Sequence, residues 1–254
     1  MSKTNLKKTI ARLSNLGDGQ LGLLNGIIDT FERSVSATRH PSSDVVSGDF
    51  LIAFGDVLKL HHSLSQDYLD KHRFEAALER VYNAIGRAAE RPANRCNPGH
   101  DLTVDGEAWS LKTQGDKGIN KDALYISKFM ELGKGSWSNE KDLADLRNQF
   151  LHHMRAYRRI FQLRYFRLES SELSATEHFY ELVEIPKPLL AEAKGGVITM
   201  MHKSKQEPKP GYCVVTGDDE QVRFKLYFDG GTERKLQIKN LRKDLCIVHA
   251  SWEF

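Results

Sequence analysis

The chain has 254 residues, of which 40 % are hydrophobic and 28 % charged, with a formal net charge of +3. These values fit a globular protein long enough to bury a full core, and they exclude a disordered or fibrous chain. No apolar run reaches the roughly 18 residues of a membrane span, and the start MSKTNLKKTIARLSN lacks the apolar centre of a secretory signal, so a cytoplasmic protein with no membrane partner is expected. Cys96, Cys213 and Cys246 are odd in number and form no C-x-x-C pair, so plain thiols are expected rather than a disulfide framework or zinc site. The small positive charge permits nucleic-acid binding only where basic residues cluster on one face.

In chain order, LGLLNGIIDTF and DFLIAFGDVLKL read as helices joined by a Pro/Ser/Asp-rich loop. In RFEAALERVYNAIGR, Phe74, Ala77, Leu78, Val81, Tyr82 and Ile85 recur at helical spacing, which predicts a packed amphipathic helix. NPGHDLTVDGEAWSLKTQ reads as a hairpin around Asp105-Gly106. KDALYISKFMELGKGSW is predicted helical, stopped by Gly133 and Gly135, and a second long helix is expected over 139–157. Alternation then predicts strands in RIFQLRYFRLE, HFYELVEI, GYCVVTG, VRFKLYFD, RKLQIKN and LCIVHASW, with a short helix in KPLLAEA. Helices first and strands last, without repeats, give an α/β fold.

The hairpin carries the chemistry. A two-residue type I′ turn at Asp105-Gly106 sets Val104 opposite Glu107, Thr103 opposite Ala108, Leu102 opposite Trp109 and Asp101 opposite Ser110. Period-two alternation places Asp101, Thr103, Ala108, Ser110 and Lys112 on one face and Leu102, Val104, Trp109 and Leu111 on the other, with Glu107 at the rim of the apolar face. Asp101 and Lys112 become diagonal neighbours, within reach of a shared phosphate. The pattern invites comparison with metal-dependent nucleases, which carry an acid on one strand and [D/E]-x-K on the next. Register disfavours Glu107, and the [D/E] slot holds Ser110, a poor Mg²⁺ ligand beside a carboxylate.

A second acid is therefore needed. Glu75 borders the stripe of its helix, about 80° from the centre at roughly 100° per residue, whereas Glu79 lies about 120° away. Glu131 is the alternative. An ordinary surface hairpin is the competing reading of the same residues. His61-His62 and His152-His153 are adjacent rather than i, i+4, and read as surface or interface histidines rather than a metal pair. Basic residues collect at Lys203, Lys205 and Lys209, and at Arg234, Lys235, Lys239, Arg242 and Lys243, which solvated loops would explain singly and a DNA groove collectively.

Taken in order and spacing, NPGHDLTVDGEAWSLKT, KFMELGKGSW, YRRIFQLRYF, LVEIPKPLL, SKQEPKPGY, LYFDGGTERKLQIKNL and CIVHASWEF resemble the SmaI family of type II restriction endonucleases, within the PD-(D/E)xK superfamily. The resemblance runs from about Leu51 to the C-terminus. It implies one restriction-endonuclease-like domain, a mixed central sheet flanked by helices, with 1–70 as an N-terminal helical segment, 71–185 as catalytic core and 186–254 as a strand-rich, DNA-reading part. It implies Mg²⁺-dependent hydrolysis of duplex DNA at the palindrome CCCGGG, a homodimer, and a cognate DNA methyltransferase as functional partner. Asp101 takes the metal-binding acid and Lys112 the lysine near the attacking water; His100-Asp101 stands where the family pattern has Pro-Asp, with Pro98 displaced. Mg²⁺ is then expected on Asp101, the Leu111 carbonyl and Glu75, and base reading by the C-terminal basic residues. Two other readings remain: a structure-selective repair or junction nuclease of the same core, and a non-catalytic DNA-binding protein.

Overall fold

The computed structural model describes residues 3–93, 99–115, 118–169 and 176–254. Cys96, and Pro98 of the displaced Pro-Asp pattern, lie outside the described residues. In chain order the elements are α1 (Lys3–Leu13), α2 (Asp18–Glu32), β1 (Ser36–Arg39), α3 (Gly48–His62), α4 (Lys71–Ala84), β2 (Ala89–Glu90), β3 (Leu102–Val104), β4 (Glu107–Gln114), β5 (Ala123–Glu131), α5 (Glu140–His153), β6 (Arg159–Glu169), β7 (Thr176–Glu184), α6 (Lys187–Ala191), β8 (Val197–Met200), β9 (Gly211–Thr216), β10 (Val222–Phe228), β11 (Lys235–Arg242) and β12 (Ile247–Glu253).

The strands form two sheets. A seven-stranded mixed sheet has the order β1-β12-β7-β6-β4-β3-β2, and a five-stranded antiparallel sheet has the order β5-β11-β10-β9-β8. At the centre of the first, β4 and β6 run parallel, with Lys112 opposite Gln162. A parallel pair needs a long crossover, and β5 with α5 supplies it. One face of this sheet presents Trp109, Leu111, Phe161 and Leu163 to α3 and α4, forming one core with Phe50, Phe54, Phe74 and Tyr82. The other face and the five-stranded sheet enclose a second core with Leu143 and Phe150 of α5. The mixed sheet flanked by helices agrees with the expected fold class. Among the described residues no helix is long and apolar enough to cross a membrane.

Three expectations need correction. The segment 123–131 is a strand, β5, and not a helix. Its pairing to β11 shifts register twice, so Leu124, Ile126, Phe129 and Met130 are all buried and the alternation that marks a strand is lost. The N-terminal seventy residues are not wholly helical: β1, with every residue exposed, is a strand only because it pairs with β12. His62 is half-buried and packed within the fold rather than lying at the surface. Its ring stacks on His178 with centroids 3.7 Å apart, and its Nε2 lies 2.7 Å from the Tyr180 hydroxyl.

This aromatic cluster makes the fold acid-sensitive. Burial pulls the pKa of His62 down to about 3 and that of His178 to about 4, with nearby Arg167 and His61 adding to the effect. Both imidazoles are neutral when folded and take up a proton when unfolded below about pH 6.5. Their contribution to stability is complete above that value and is lost as pH falls toward the folded pKa values. Summed linkage gives about 4 kcal/mol between pH 7 and pH 5, which solvent screening reduces to about 2 kcal/mol. Urea unfolding at the two pH values should show this loss, and His178→Asn should show a smaller one.

Candidate active site

The hairpin is built as its turn dictates. Asp105 and Gly106 have φ values of 50° and 82°, the left-handed pair of a type I′ turn, and the Asp105 side chain is tied to Arg87 at 2.7 Å. The register is Leu102 opposite Trp109, Thr103 opposite Ala108 and Val104 opposite Glu107. Leu102, Val104, Trp109 and Leu111 are buried against α4, which fixes the opposite face of β4 toward the crossover. Glu107 is turned away from Asp101 and accepts a hydrogen bond from the Trp109 indole at 2.7 Å.

Asp101 ends up at the centre of a charged knot. Its Oδ2 accepts from the Leu111 amide at 2.7 Å and from the Ser110 hydroxyl at 3.2 Å, and lies 3.9 Å from Lys112 Nζ. Lys112 Nζ in turn donates to Ser110 Oγ at 3.0 Å. Ser110, in the slot where an acid was sought, therefore links the lysine to the aspartate. Asp101 Oδ1 accepts from Lys71 Nζ at 2.7 Å, and the same ammonium lies 3.4 Å from Glu75 Oε1. Lys71 and Glu75 occupy the first two turns of α4, whose N-cap Asp70 accepts from the Arg73 amide. Asp101 and Glu75 are thus joined through one cation. Glu79, by contrast, pairs with Arg91 at 2.7 Å.

The electrostatics follow from burial and pairing. Burial alone would raise the Asp101 pKa, but Lys112 and Lys71 outweigh it and hold the carboxyl below its usual value. Burial pulls Lys112 down to about 8, with Asp101 opposing and Lys71 assisting. Its ammonium sits 5.3 Å from the Phe129 ring centroid, so β5 closes the site from the crossover side. His153, at the end of α5, faces the same centre: burial and the Lys112 charge lower its pKa while Asp101 opposes. Gln162, opposite Lys112, is fully buried, and its Oε1 has no hydrogen-bond partner among the described residues.

Among the described residues no group of three or more His, Cys, Asp or Glu side chains forms a metal cage. The donors present are two carboxylates, Asp101 and Glu75, that already share the Lys71 cation. Hard oxygen ligands of this number suit Mg²⁺, which retains several waters and takes phosphate oxygens from its substrate. The residues fit such an ion.

The remaining sequence candidates lie elsewhere. Glu131 ends β5 with an exposed side chain paired to Lys128 at 2.9 Å, and no described contact joins it to Asp101 or Lys112. Arg234 donates to the Lys134 and Gly135 carbonyls and pins the loop between β5 and α5. Lys235 pairs with Glu233 and Lys209 with Glu207. Lys239 lies 3.7 Å from the Tyr227 ring centroid, while Lys203 and Lys205 are exposed. Sequence reasoning missed Lys71 and set His153 aside as a surface or interface residue. A signal for Lys71 existed, since it stands four residues before Glu75 on one helical face.

Comparison with known proteins points to a DNA-hydrolysing enzyme. Residues 10–254 match the SmaI family, described as type II site-specific deoxyribonuclease. The type II restriction enzyme SmaI of Serratia marcescens is 46 % identical over 213 residues, covering 84 % of this chain and 83 % of that relative. No solved structure matches. Of the three functional readings, the type II DNA-hydrolysing enzyme is the one these matches select over a junction nuclease or a non-catalytic DNA-binding protein. The chain belongs to the SmaI family of type II site-specific deoxyribonucleases.

Proposed function

We propose that the enzyme hydrolyses duplex DNA at CCCGGG with Mg²⁺ as cofactor, and that Asp101, Lys112 and Glu75 form its catalytic centre. The observation that carries this reading is the convergence of Asp101, Lys112 and Glu75 around one point, from a hairpin and a helix whose sequences lie about thirty residues apart. Asp101, Glu75 and the Leu111 carbonyl would hold the ion. When bound, Mg²⁺ supplies neutralisation of the charge that builds on the scissile phosphate.

The chain's own residues do the rest. Asp101 is ionised and fixed in direction by the Leu111 amide and Ser110 hydroxyl. Lys112, with its pKa near 8, is poised between donor and acceptor. Its neutral amine form orients a water for in-line attack on phosphorus and takes that water's proton as the new P–O bond forms and the P–O3′ bond breaks, the leaving O3′ being protonated from solvent. The low exposure around Lys112 strengthens each of these interactions relative to water.

A palindromic site suits a two-fold homodimer with one centre per strand. Guanine O6 and N7 are natural partners for lysine and arginine, which favours a reading surface drawn from Lys203, Lys205, Lys209, Arg234, Lys235 and Lys239. Lys203 and Lys205 are free to reach DNA, whereas Lys209, Arg234 and Lys235 would exchange protein partners for phosphates. A cognate methyltransferase protecting CCCGGG completes the system, in the cytoplasm.

The test is digestion of a long DNA of known sequence by the purified protein with Mg²⁺, with every new end mapped. All ends should fall within CCCGGG, and none should form in excess chelator. Ends at another sequence would overturn the specificity, and cutting of forks irrespective of sequence would overturn the site-specific reading.

A further inference from the structure

The first turn of α4 reads Lys71-His72-Arg73 and contains no acid. Cations at a helix N-terminus oppose the helix dipole, so helix stability does not explain Lys71. Its position relative to the two acids does. Lys71 Nζ stands 2.7 Å from Asp101 Oδ1 and 3.4 Å from Glu75 Oε1, while Lys112 approaches the other Asp101 oxygen. The carboxylates are largely covered, with side chains 19 % and 14 % exposed, whereas the Lys71 side chain is 41 % exposed and borders solvent.

We propose that Lys71 is a tethered counter-cation that occupies the metal position of the resting enzyme, so that a divalent ion binds only by displacing it. This inference rests on the reading of Asp101 and Glu75 as metal ligands. Two nearby carboxylates repel when both are ionised, and one ammonium between them removes that cost in the absence of metal. The same oxygens cannot serve both cations at once. The free energy of the two lysine contacts is therefore subtracted from the free energy of metal binding. The site stays assembled without metal, at the expense of affinity for it.

The test is titration of Mn²⁺ alone, without DNA, into the intact protein, with free Mn²⁺ read by electron paramagnetic resonance. Lys71→Met should bind about tenfold more tightly than wild type, Lys71→Gln likewise, and Lys71→Arg should return to the wild-type value. Asp101→Asn should lose most of the binding. Circular dichroism of each variant separates altered affinity from failure to fold, and Lys71→Gln answers the question if Lys71→Met is unfolded. Unchanged or weaker binding by folded Lys71→Met and Lys71→Gln, with binding lost in Asp101→Asn, would overturn the counter-cation while leaving the metal site intact. Wild-type binding by both Asp101→Asn and Glu75→Gln would overturn the metal site itself, and the counter-cation with it.

Discussion

Asp101→Asn is expected to lower the single-turnover rate of DNA cleavage by about 10³-fold or more, because it removes the charge proposed to bind the metal and the anion that both lysines face. The amide is nearly isosteric and keeps one oxygen to accept from the Leu111 amide, so the hairpin should persist. The charge is what disappears. Lys71 loses its 2.7 Å partner and Lys112 its nearest carboxylate, leaving two cations facing each other across a buried space. Removing one member of a buried ionic group costs about 3–5 kcal/mol where nothing relaxes. The half-buried Lys71, whose side chain is 41 % exposed, can turn to solvent, so a loss of about 1–2 kcal/mol in urea unfolding is expected. Duplex binding in Ca²⁺ provides the control, since the loss should lie in the rate and not in recognition.

Lys112→Met should reduce the rate by about 10²–10⁴-fold, the range for loss of a positioned proton-transfer group, while leaving the fold at least as stable. The stability argument is specific to this position. Lys112 is 8 % exposed, and its pKa near 8 records how poorly the interior solvates its charge. Its contact with Asp101 is long, at 3.9 Å, and Asp101 keeps Lys71 and the Leu111 amide when Lys112 is gone. A methionine fills the same channel beside Phe129 without a charge to desolvate. Opposite signs for rate and stability would identify Lys112 as kept for chemistry. Thermal unfolding alongside single-turnover kinetics measures both.

The hairpin was legible in the sequence because its information is local. Asp105-Gly106 selects the turn, the turn sets the register, and the register places Asp101 and Lys112 together. The helices α4 and α5 were equally legible, since each buries one stripe against a core. What failed depends on partners far along the chain. β5 carries apolar residues at irregular spacing because its pairing to β11 is bulged, and that spacing imitates a helix. β1 has no apolar pattern at all and exists as a strand through β12, more than two hundred residues away. Lys71 lies thirty residues before Asp101, and only the packing of α4 on β4 brings its ammonium to the carboxylate. Glu75 was reachable by helical angle alone, whereas Glu131 depended on an element that is a strand.

Single-turnover cleavage of a CCCGGG duplex in Mg²⁺, with wild type, Asp101→Asn and Lys112→Met each at saturating protein, reads the proposed roles of Asp101 and Lys112 side by side. The proposed catalytic centre requires rapid cutting by wild type and losses of about 10²-fold or more in both variants, with duplex binding in Ca²⁺ retained. Cutting by either variant at the wild-type rate would contradict it.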